Sequence, residues 1–178
     1  MHAEIVIAGS GGQGVLLIGR ILAEAGLKEG HEVAWLPSYG AEKRGGSVSC
    51  SVTISDQQIG SLSILHPGAA VAMNQLSAER LEPNIKVDGI MLINKSLVSS
   101  QAKREDIRTI YVPANGLALE LGNDSVANLV ALGALIAEFP IVSKPTIMAI
   151  MDAMFAKNQK ILEANKQAFT KGLNSRLQ

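Results

Sequence analysis

The sequence predicts an α/β fold: a single three-layer α/β/α domain over residues 1–178, built around a mixed, partly parallel sheet. Three observations predict it. Short apolar runs typical of buried strands alternate with helical patterns along the whole chain. The chain opens with a strand, a glycine-rich loop and a helix, which is a Rossmann-like start. One later strand alternates polar and apolar residues, which indicates antiparallel pairing with one buried face. The length is that of one domain, and no repeat or linker divides it.

The first unit is a strand, a helix and a second strand. Residues 5–8 are a buried strand, and residues 15–28 carry apolar side chains at helical spacing up to a C-terminal cap at Gly30. A second strand over 33–36 is expected to stop at Pro37. This order predicts two parallel strands with the helix packed across them.

The rest of the chain continues the alternation. Residues 48–54 alternate with period two, and residues 59–64 are predicted to return as their hairpin partner. Further strands are expected at 69–73, 90–93 and 107–112. Helices are expected at 115–121, 126–139, 143–155 and 158–173, the second of them capped by Asp124 or Ser125.

Composition excludes several function classes. Hydrophobic residues make up 47% of the chain and charged residues 18%, with 16 basic and 16 acidic residues. The balanced charge argues against nucleic-acid binding. The low charged fraction indicates either a surface covered by a partner or a well-buried sheet. We expect no membrane segment, no signal peptide and a cytoplasmic location.

The chain has a single cysteine, Cys50. One thiol cannot form an internal disulfide or hold an iron–sulfur cluster. Its place between Val48 and Val52 in an alternating strand predicts a small buried apolar residue rather than a reactive thiol. We therefore expect no metal site and no catalytic residue in this chain.

The first candidate site is the glycine loop. Gly9-x-Gly11-x-x-Gly14 lies between a strand and a helix, as the dinucleotide-binding fingerprint requires, and such a loop lets a phosphate approach the helix N-terminus. The acidic residue that a bound dinucleotide needs after the second strand is missing, since that position falls at residues 36–38. Two interpretations remain: the glycines only allow close packing, or the loop contacts a partner subunit or a phosphate-bearing ligand.

The second candidate site is the polar loop after the second strand. Arg44 can bind an anion or a partner's carboxylate through its planar guanidinium, unless the charges of this loop are simply solvated. Tyr39 is a possible interface anchor in a chain that has few aromatic residues. The loops after two parallel strands leave the same edge of the sheet, so we expect the two sites to be neighbours.

Together the two segments resemble a known family. Gly11-Gly12-Gln13-Gly14 before a helix, and Pro37-Ser38-Tyr39-Gly40-Ala41-Glu42-Lys43-Arg44-Gly45-Gly46 after the next strand, are similar to the signature of the gamma subunit of 2-oxoacid:ferredoxin oxidoreductases. The similarity extends to an apolar strand ending at Asn74 and to Asn128 with Leu132-Gly133-Ala134. Ala8-Gly9-Ser10 resembles the 2-oxoglutarate and branched-chain types more than the pyruvate type. Ala41 departs from the family, in which proline is common at that position.

The resemblance implies a subunit of a larger enzyme. Such complexes oxidatively decarboxylate a 2-oxoacid, here 2-oxoglutarate by resemblance, with CoA to an acyl-CoA, CO2 and reduced ferredoxin. Thiamine diphosphate, magnesium, [4Fe–4S] clusters and CoA are implied on partner subunits, namely alpha, beta and a ferredoxin-like delta subunit. In isolation the chain is expected to self-associate as a homodimer. The alternative function is a free-standing nucleotide- or flavin-binding module.

The loop residues predicted to contact a ligand or a partner fall in these two segments. They are Gly9, Gly11, Gly12, Gln13 and Gly14 in the first loop, and Ser38, Tyr39, Gly40, Glu42, Arg44, Gly45 and Gly46 in the second.

Overall fold

The computed structural model describes residues 1–40 and 46–175 and confirms the α/β fold with a mixed sheet. Within these ranges six strands form one sheet in the order β2-β3-β1-β4-β5-β6. The pairs β1–β4, β4–β5 and β5–β6 are parallel, whereas β3 is antiparallel to both β1 and β2. The strands are β1 His2–Ser10, β2 Glu32–Tyr39, β3 Ser47–Ser55, β4 Ala69–Ala72, β5 Ile90–Asn94 and β6 Arg108–Val112.

The helices cover the two faces of the sheet unequally. They are α1 Val15–Lys28, α2 Gln75–Leu81, α3 Ala114–Glu120, α4 Ala127–Glu138, α5 Lys144–Met154 and α6 Gln159–Leu173. The larger apolar core joins one face of the sheet to α1, α4, α5 and α6. A smaller core joins the other face to α2 and to the segments 82–89 and 95–107. Helix α4 is buried nearly all round because it lies between the sheet and α6.

The predicted hairpin is wrong. Residues 59–64 form no strand, and β3 instead lies between β1 and β2 and bonds to both. The strands β1 and β2 do run in the same direction with α1 across them, but they are not neighbours. The alternation in β3 predicted an antiparallel strand correctly. Its partners are the preceding strand β2 and the more distant β1, and periodicity alone does not reveal which strands pair.

The predicted end of the second strand is also wrong. Strand β2 continues through Pro37 to Tyr39, and Pro37 lies opposite Cys50. Proline has no N–H to give to a sheet, so it is tolerated where the unpaired side faces outward. Because β2 is the edge strand, the proline does not interrupt its pairing with β3.

Helix starts follow the expected capping chemistry, with one correction. Ser143 and Asn158 accept hydrogen bonds from the first turns of α5 and α6. Neither Asp124 nor Ser125 caps α4. Asn123 caps a short 3-10 turn over Asp124–Val126 that leads into α4. Helix α2, which the sequence analysis did not predict, is capped by the side chain of Asn74. In the part of the chain that the structure describes, no helix is both long and apolar enough to cross a membrane.

Candidate functional site

A crevice opens where the parallel strands end. In open α/β sheets ligands bind outside the carboxyl ends of the strands, at the point where the strand order reverses. Here the chain continues from β1 to one side through α1 and β2, and returns on the other side through β4. The cavity at this point has a volume of about 710 Å³. Its described lining consists of Gly12, Gln13, Met73, Leu97, Asn115, Gly122, Asn123, Asp124, Ser125, Ala127 and Asn128.

A row of amide side chains crosses the carboxyl ends of these strands. The Nε2 of Gln13 and the Nδ2 of Asn94 each donate to the carbonyl oxygen of Met73, both at 3.2 Å. Asn94 Nδ2 also lies 2.8 Å from Asn115 Oδ1, and Asn115 Nδ2 donates to Asp124 Oδ1 at 2.7 Å. Since Asn94 is fully buried and its Oδ1 accepts from the N–H of Ala114, the row is held rigidly. It forms a polar floor of fixed geometry under the crevice.

Two glycines of the first loop are required by packing. A Cβ at Gly9 would lie 2.7 Å from Gln13 Oε1 and 2.9 Å from Met73 Cβ. A Cβ at Gly14 would overlap the side chain of Asn128. Gly14 also has φ of 69°, a left-handed conformation that strains other residues. The packing interpretation therefore accounts for the first and the last glycine of the fingerprint.

The two middle glycines have open space around them. A Cβ at Gly11 or Gly12 would meet no atom within 4 Å, and Gly12 has φ of +92°. Gly11 donates its N–H to the carbonyl oxygen of Gly46 at 3.0 Å. The first N–H groups of α1, which follow directly, have no intrahelical partners. An exposed loop next to a helix N-terminus, where the dipole favours negative charge, is suited to an anion such as a phosphate.

The second loop meets the first at Gly46. Gly40 donates its N–H to the carbonyl oxygen of Ser47 at 2.6 Å, and Gly46 accepts from Gly11, so the described ends of both loops lie together. The exposed side chain of Tyr39 lines a second cavity of about 360 Å³ with residues 10–12 and 14–17 of the first loop and helix. Ser38 is exposed on β2 opposite Ser49. Glu42, Arg44 and Gly45 of the predicted site lie outside the described residues.

Cys50 is buried, as predicted from its strand. Burial raises the pKa of its thiol to about 11, although hydrogen bonding to Trp35 and Gly19 opposes the shift. The sulfur lies 3.6 Å from the carbonyl oxygen of Val15 and is 1% exposed as a residue. A neutral, enclosed thiol is a poor nucleophile and a poor metal ligand. Across residues 1–40 and 46–175, no three His, Cys, Asp or Glu side chains are grouped as a metal site would need.

Sequence reasoning missed part of the crevice. Gln13 was predicted, and Asn74 and Asn128 were noted only as family features. Asn94, Asn115 and Asp124 were not identified. A usable signal existed, because Asn74 and Asn94 each close an apolar strand, and a polar residue at that point faces the ligand edge of a parallel sheet. The contribution of Asp124 depends on tertiary folding, which brings the start of the 3-10 turn next to Asn115.

The known proteins that this chain resembles in sequence are oxidoreductase and synthase subunits that act on 2-oxoacids. The family model for pyruvate ferredoxin/flavodoxin oxidoreductase matches residues 4–175. The 2-oxoglutarate synthase subunit KorC of Methanocaldococcus jannaschii is 36% identical over 176 residues, covering 97% of this chain and 92% of KorC. The ketoisovalerate oxidoreductase subunit VorA of Methanothermobacter marburgensis is 41% identical over 136 residues, which is 76% of this chain. The chain spans only 28% of that VorA, and 36% of the VorA of Methanothermobacter thermautotrophicus.

Solved structures share the fold. The gamma subunit of a keto/oxoacid ferredoxin oxidoreductase from Geobacter sulfurreducens has a TM-score of 0.80 and 31% identity, covering 96% of this chain and 95% of that one. The 2-oxoglutarate:ferredoxin oxidoreductase of Magnetococcus marinus, solved with 2-oxoglutarate, coenzyme A and succinyl-CoA bound, has a TM-score of 0.88 and 26% identity. The match to the latter covers 97% of this chain and 30% of that chain.

Proposed function

The chain belongs to the pyruvate ferredoxin/flavodoxin oxidoreductase family, and from this premise we propose that residues 1–178 act as the gamma subunit of a 2-oxoacid:ferredoxin oxidoreductase complex. The complex would convert a 2-oxoacid and CoA to an acyl-CoA and CO2 while it reduces ferredoxin. The observation that carries the proposal is the match to KorC, because that subunit is covered over 92% of its length. A gamma chain of similar extent is thus a separate subunit in a relative.

The substrate we propose is 2-oxoglutarate. The KorC relatives are subunits of 2-oxoglutarate synthases and are covered over most of their length. The second candidate is the branched-chain 2-oxoacid ketoisovalerate, because VorA of Methanothermobacter marburgensis is 41% identical over the matched 136 residues. A panel of 2-oxoacids assayed on the assembled complex separates the two.

We propose that other subunits hold the redox cofactors. The residues present do not fit an iron–sulfur cluster, since the chain has one cysteine and burial keeps that thiol neutral. The sequence also lacks the Gly-Asp-Gly and Asn-Asn signature of a magnesium–thiamine diphosphate site. Alpha and beta subunits, with a ferredoxin-like delta subunit, are the partners this division of labour requires.

We further propose that the crevice and the two loops take part in CoA binding. The open space around Gly11 and Gly12, where a Cβ would meet no atom within 4 Å, and the N-terminus of α1 are suited to a phosphate group. The adjoining crevice, with a volume of about 710 Å³, has room for an extended arm. The Magnetococcus marinus relative was solved with CoA bound. The predicted loop residues would form the contacts, with Arg44 supplying positive charge.

The test of the function is reconstitution. The chain is purified alone and together with the proposed alpha, beta and delta subunits, and both samples are assayed for viologen reduction with 2-oxoglutarate and CoA. The complex should be active, and the chain alone should be inactive and colourless. Activity of the isolated chain, or a nucleotide or flavin that co-purifies with it, would refute the proposal in favour of a free-standing binding module.

Arg44 gives a sharper prediction. Arg44→Lys keeps the charge but loses the bidentate geometry, and Arg44→Ala loses both. If Arg44 forms a desolvated contact with an anion or a carboxylate, alanine should cost about 2–5 kcal/mol in subunit association or in kcat/KM, and lysine should recover part of it. Both quantities are measured on rebuilt complexes. An alanine variant within about 0.5 kcal/mol of the parent in both would assign Arg44 to solvated surface.

A further inference from the structure

Asn128 is the buried polar residue at the wall of the crevice. It is the second residue of α4, is 3% exposed and belongs to the crevice lining. Its Nδ2 donates to the carbonyl oxygen of Gly14 at 3.3 Å. This bond sets the orientation of the amide, because rotating it by 180° would place the Oδ1 atom against another acceptor. The missing side chain at Gly14 leaves the space that Asn128 occupies.

The Oδ1 atom of Asn128 is left without a partner. Among the described residues it is the one buried side-chain nitrogen or oxygen that makes no hydrogen bond. Buried polar atoms are almost always paired, because an unpaired one loses its bonds to water and gains nothing in return. The neighbouring positions of α4, Leu129 and Leu132, are apolar. A polar side chain kept here with a free acceptor therefore points to a donor that arrives with a ligand.

The chemistry of the crevice selects the kind of donor. A carbonyl oxygen accepts from N–H or O–H groups and has no attraction for a phosphate. The described part of the lining contains the carboxylate of Asp124 and several amides, and no lysine or arginine. The crevice thus suits an uncharged segment with amide or hydroxyl donors. Anionic groups are instead favoured at the glycine loop, which borders both cavities through Gly12.

We propose that Asn128 is a specificity-determining residue whose Oδ1 accepts a hydrogen bond from an amide N–H or a hydroxyl of the ligand's uncharged arm. This inference rests on the proposed CoA site, for which that arm is pantetheine. It divides the site into two parts. The crevice beside Asn128 binds the neutral arm, and the open glycine loop binds the phosphate-bearing half.

The test uses the full chain and two halves of the ligand. Binding of pantetheine and of adenosine 3′,5′-bisphosphate is measured by isothermal titration calorimetry for the parent and for Asn128→Leu, which is similar in size and lacks the acceptor. Asn165→Leu on α6 is the matched control, since Asn165 is also a buried helical asparagine but does not line the crevice. Melting temperatures show that each variant is folded, and Asn128→Ala replaces Asn128→Leu if the latter does not fold.

The expected result is selective. Asn128→Leu should weaken pantetheine binding about tenfold or more, as a lost hydrogen bond to a buried acceptor does. Binding of the bisphosphate should stay within about twofold, and the control should alter neither. Equal loss for both probes would show that Asn128 only supports the glycine loop, and no loss would show that Oδ1 contacts nothing. Failure of the parent to bind pantetheine, in a chain whose complex turns over with CoA, would overturn this inference while the proposed function stands.

Discussion

Gly14 is held by two independent constraints, a left-handed backbone and the side chain of Asn128. The loop contains a natural contrast, because Gly11 lies three residues earlier with no neighbour in the way of a Cβ and no positive φ. The glycine spacing alone could not distinguish the two. The sequence predicted the loop and its position, whereas the division between packing glycines and open glycines depends on contacts with Met73 and Asn128, which are distant in sequence.

Replacement of Gly14 by alanine should destabilise the chain by about 2–4 kcal/mol. A left-handed conformation costs a residue with a Cβ roughly 1–2 kcal/mol, and displacement of Asn128 adds a packing penalty. Gly11→Ala is the control and should stay within about 0.5 kcal/mol of the parent. Urea unfolding followed by circular dichroism measures both. Similar stabilities for the two variants would mean that neither the left-handed backbone nor the contact with Asn128 constrains position 14.

The crossing of α4 and α6 also depends on glycines, which here allow two helix backbones to pack closely. A Cβ at Gly133 on α4 would overlap the carbonyl oxygen of Phe169, and one at Gly172 on α6 would overlap that of Val130. Two glycines therefore let the helix backbones touch. Both helices were predicted from periodicity, but nothing in the periodicity identified their contact, because a glycine within a helical pattern does not say which element packs against it.

Replacement by alanine should change the stability of the chain in opposite directions at two helical glycines, Gly116 and Gly133. Alanine normally stabilises a helix interior relative to glycine by about 0.5–1 kcal/mol. Gly116→Ala in α3 should show that gain, since the nearest atoms to its Cβ are at 3.7 and 3.9 Å. Gly133→Ala should instead lose about 1–3 kcal/mol, because a backbone carbonyl cannot move aside as a side chain can. Denaturation midpoints of the two variants give the signs directly, and a stabilised Gly133→Ala would contradict the described crossing.

The positions of most strands could be predicted from the sequence, but their pairing could not. Strands β4, β5 and β6 were placed to within one residue, because buried parallel strands are short apolar runs, whereas β1 begins three residues before and ends two residues after its predicted range of 5–8. The predicted partner of β3 was wrong, because β3 pairs with the preceding strand β2 and with the distant β1 and not with the segment that follows it: Ser55 lies opposite both His2 and Glu32. Pro37 was misinterpreted for a related reason. Its effect depends on whether β2 is an edge strand, and the order of the sheet decides that.

At the scale of the whole molecule, several large apolar side chains are exposed, and their contact with water is unfavourable in a free monomer. Three large ones, Trp35, Leu36 and Tyr39, are 38%, 47% and 68% exposed on the edge strand β2. This strand lies beside the glycine loop, so a partner that covered it would also reach the proposed ligand site. The low charged fraction of 18% agrees with a covered surface. The crevice itself was only partly predictable, because it is assembled from the ends of four strands and the start of α4.

The isolated chain should therefore self-associate through β2, and the association should disappear when the partner subunits bind. Light scattering at increasing concentration measures it. Leu36→Ser with Tyr39→Ser should shift the chain towards monomer, because these changes remove apolar area that association would bury. Leu119→Ser is the matched control: Leu119 is 62% exposed on α3, which follows β6 at the opposite edge of the sheet. The double variant should also bind the partner subunits more weakly at an unchanged melting temperature. A parent that remains monomeric at high concentration, or a control that dissociates as readily as the double variant, would rule out β2 as the contact surface.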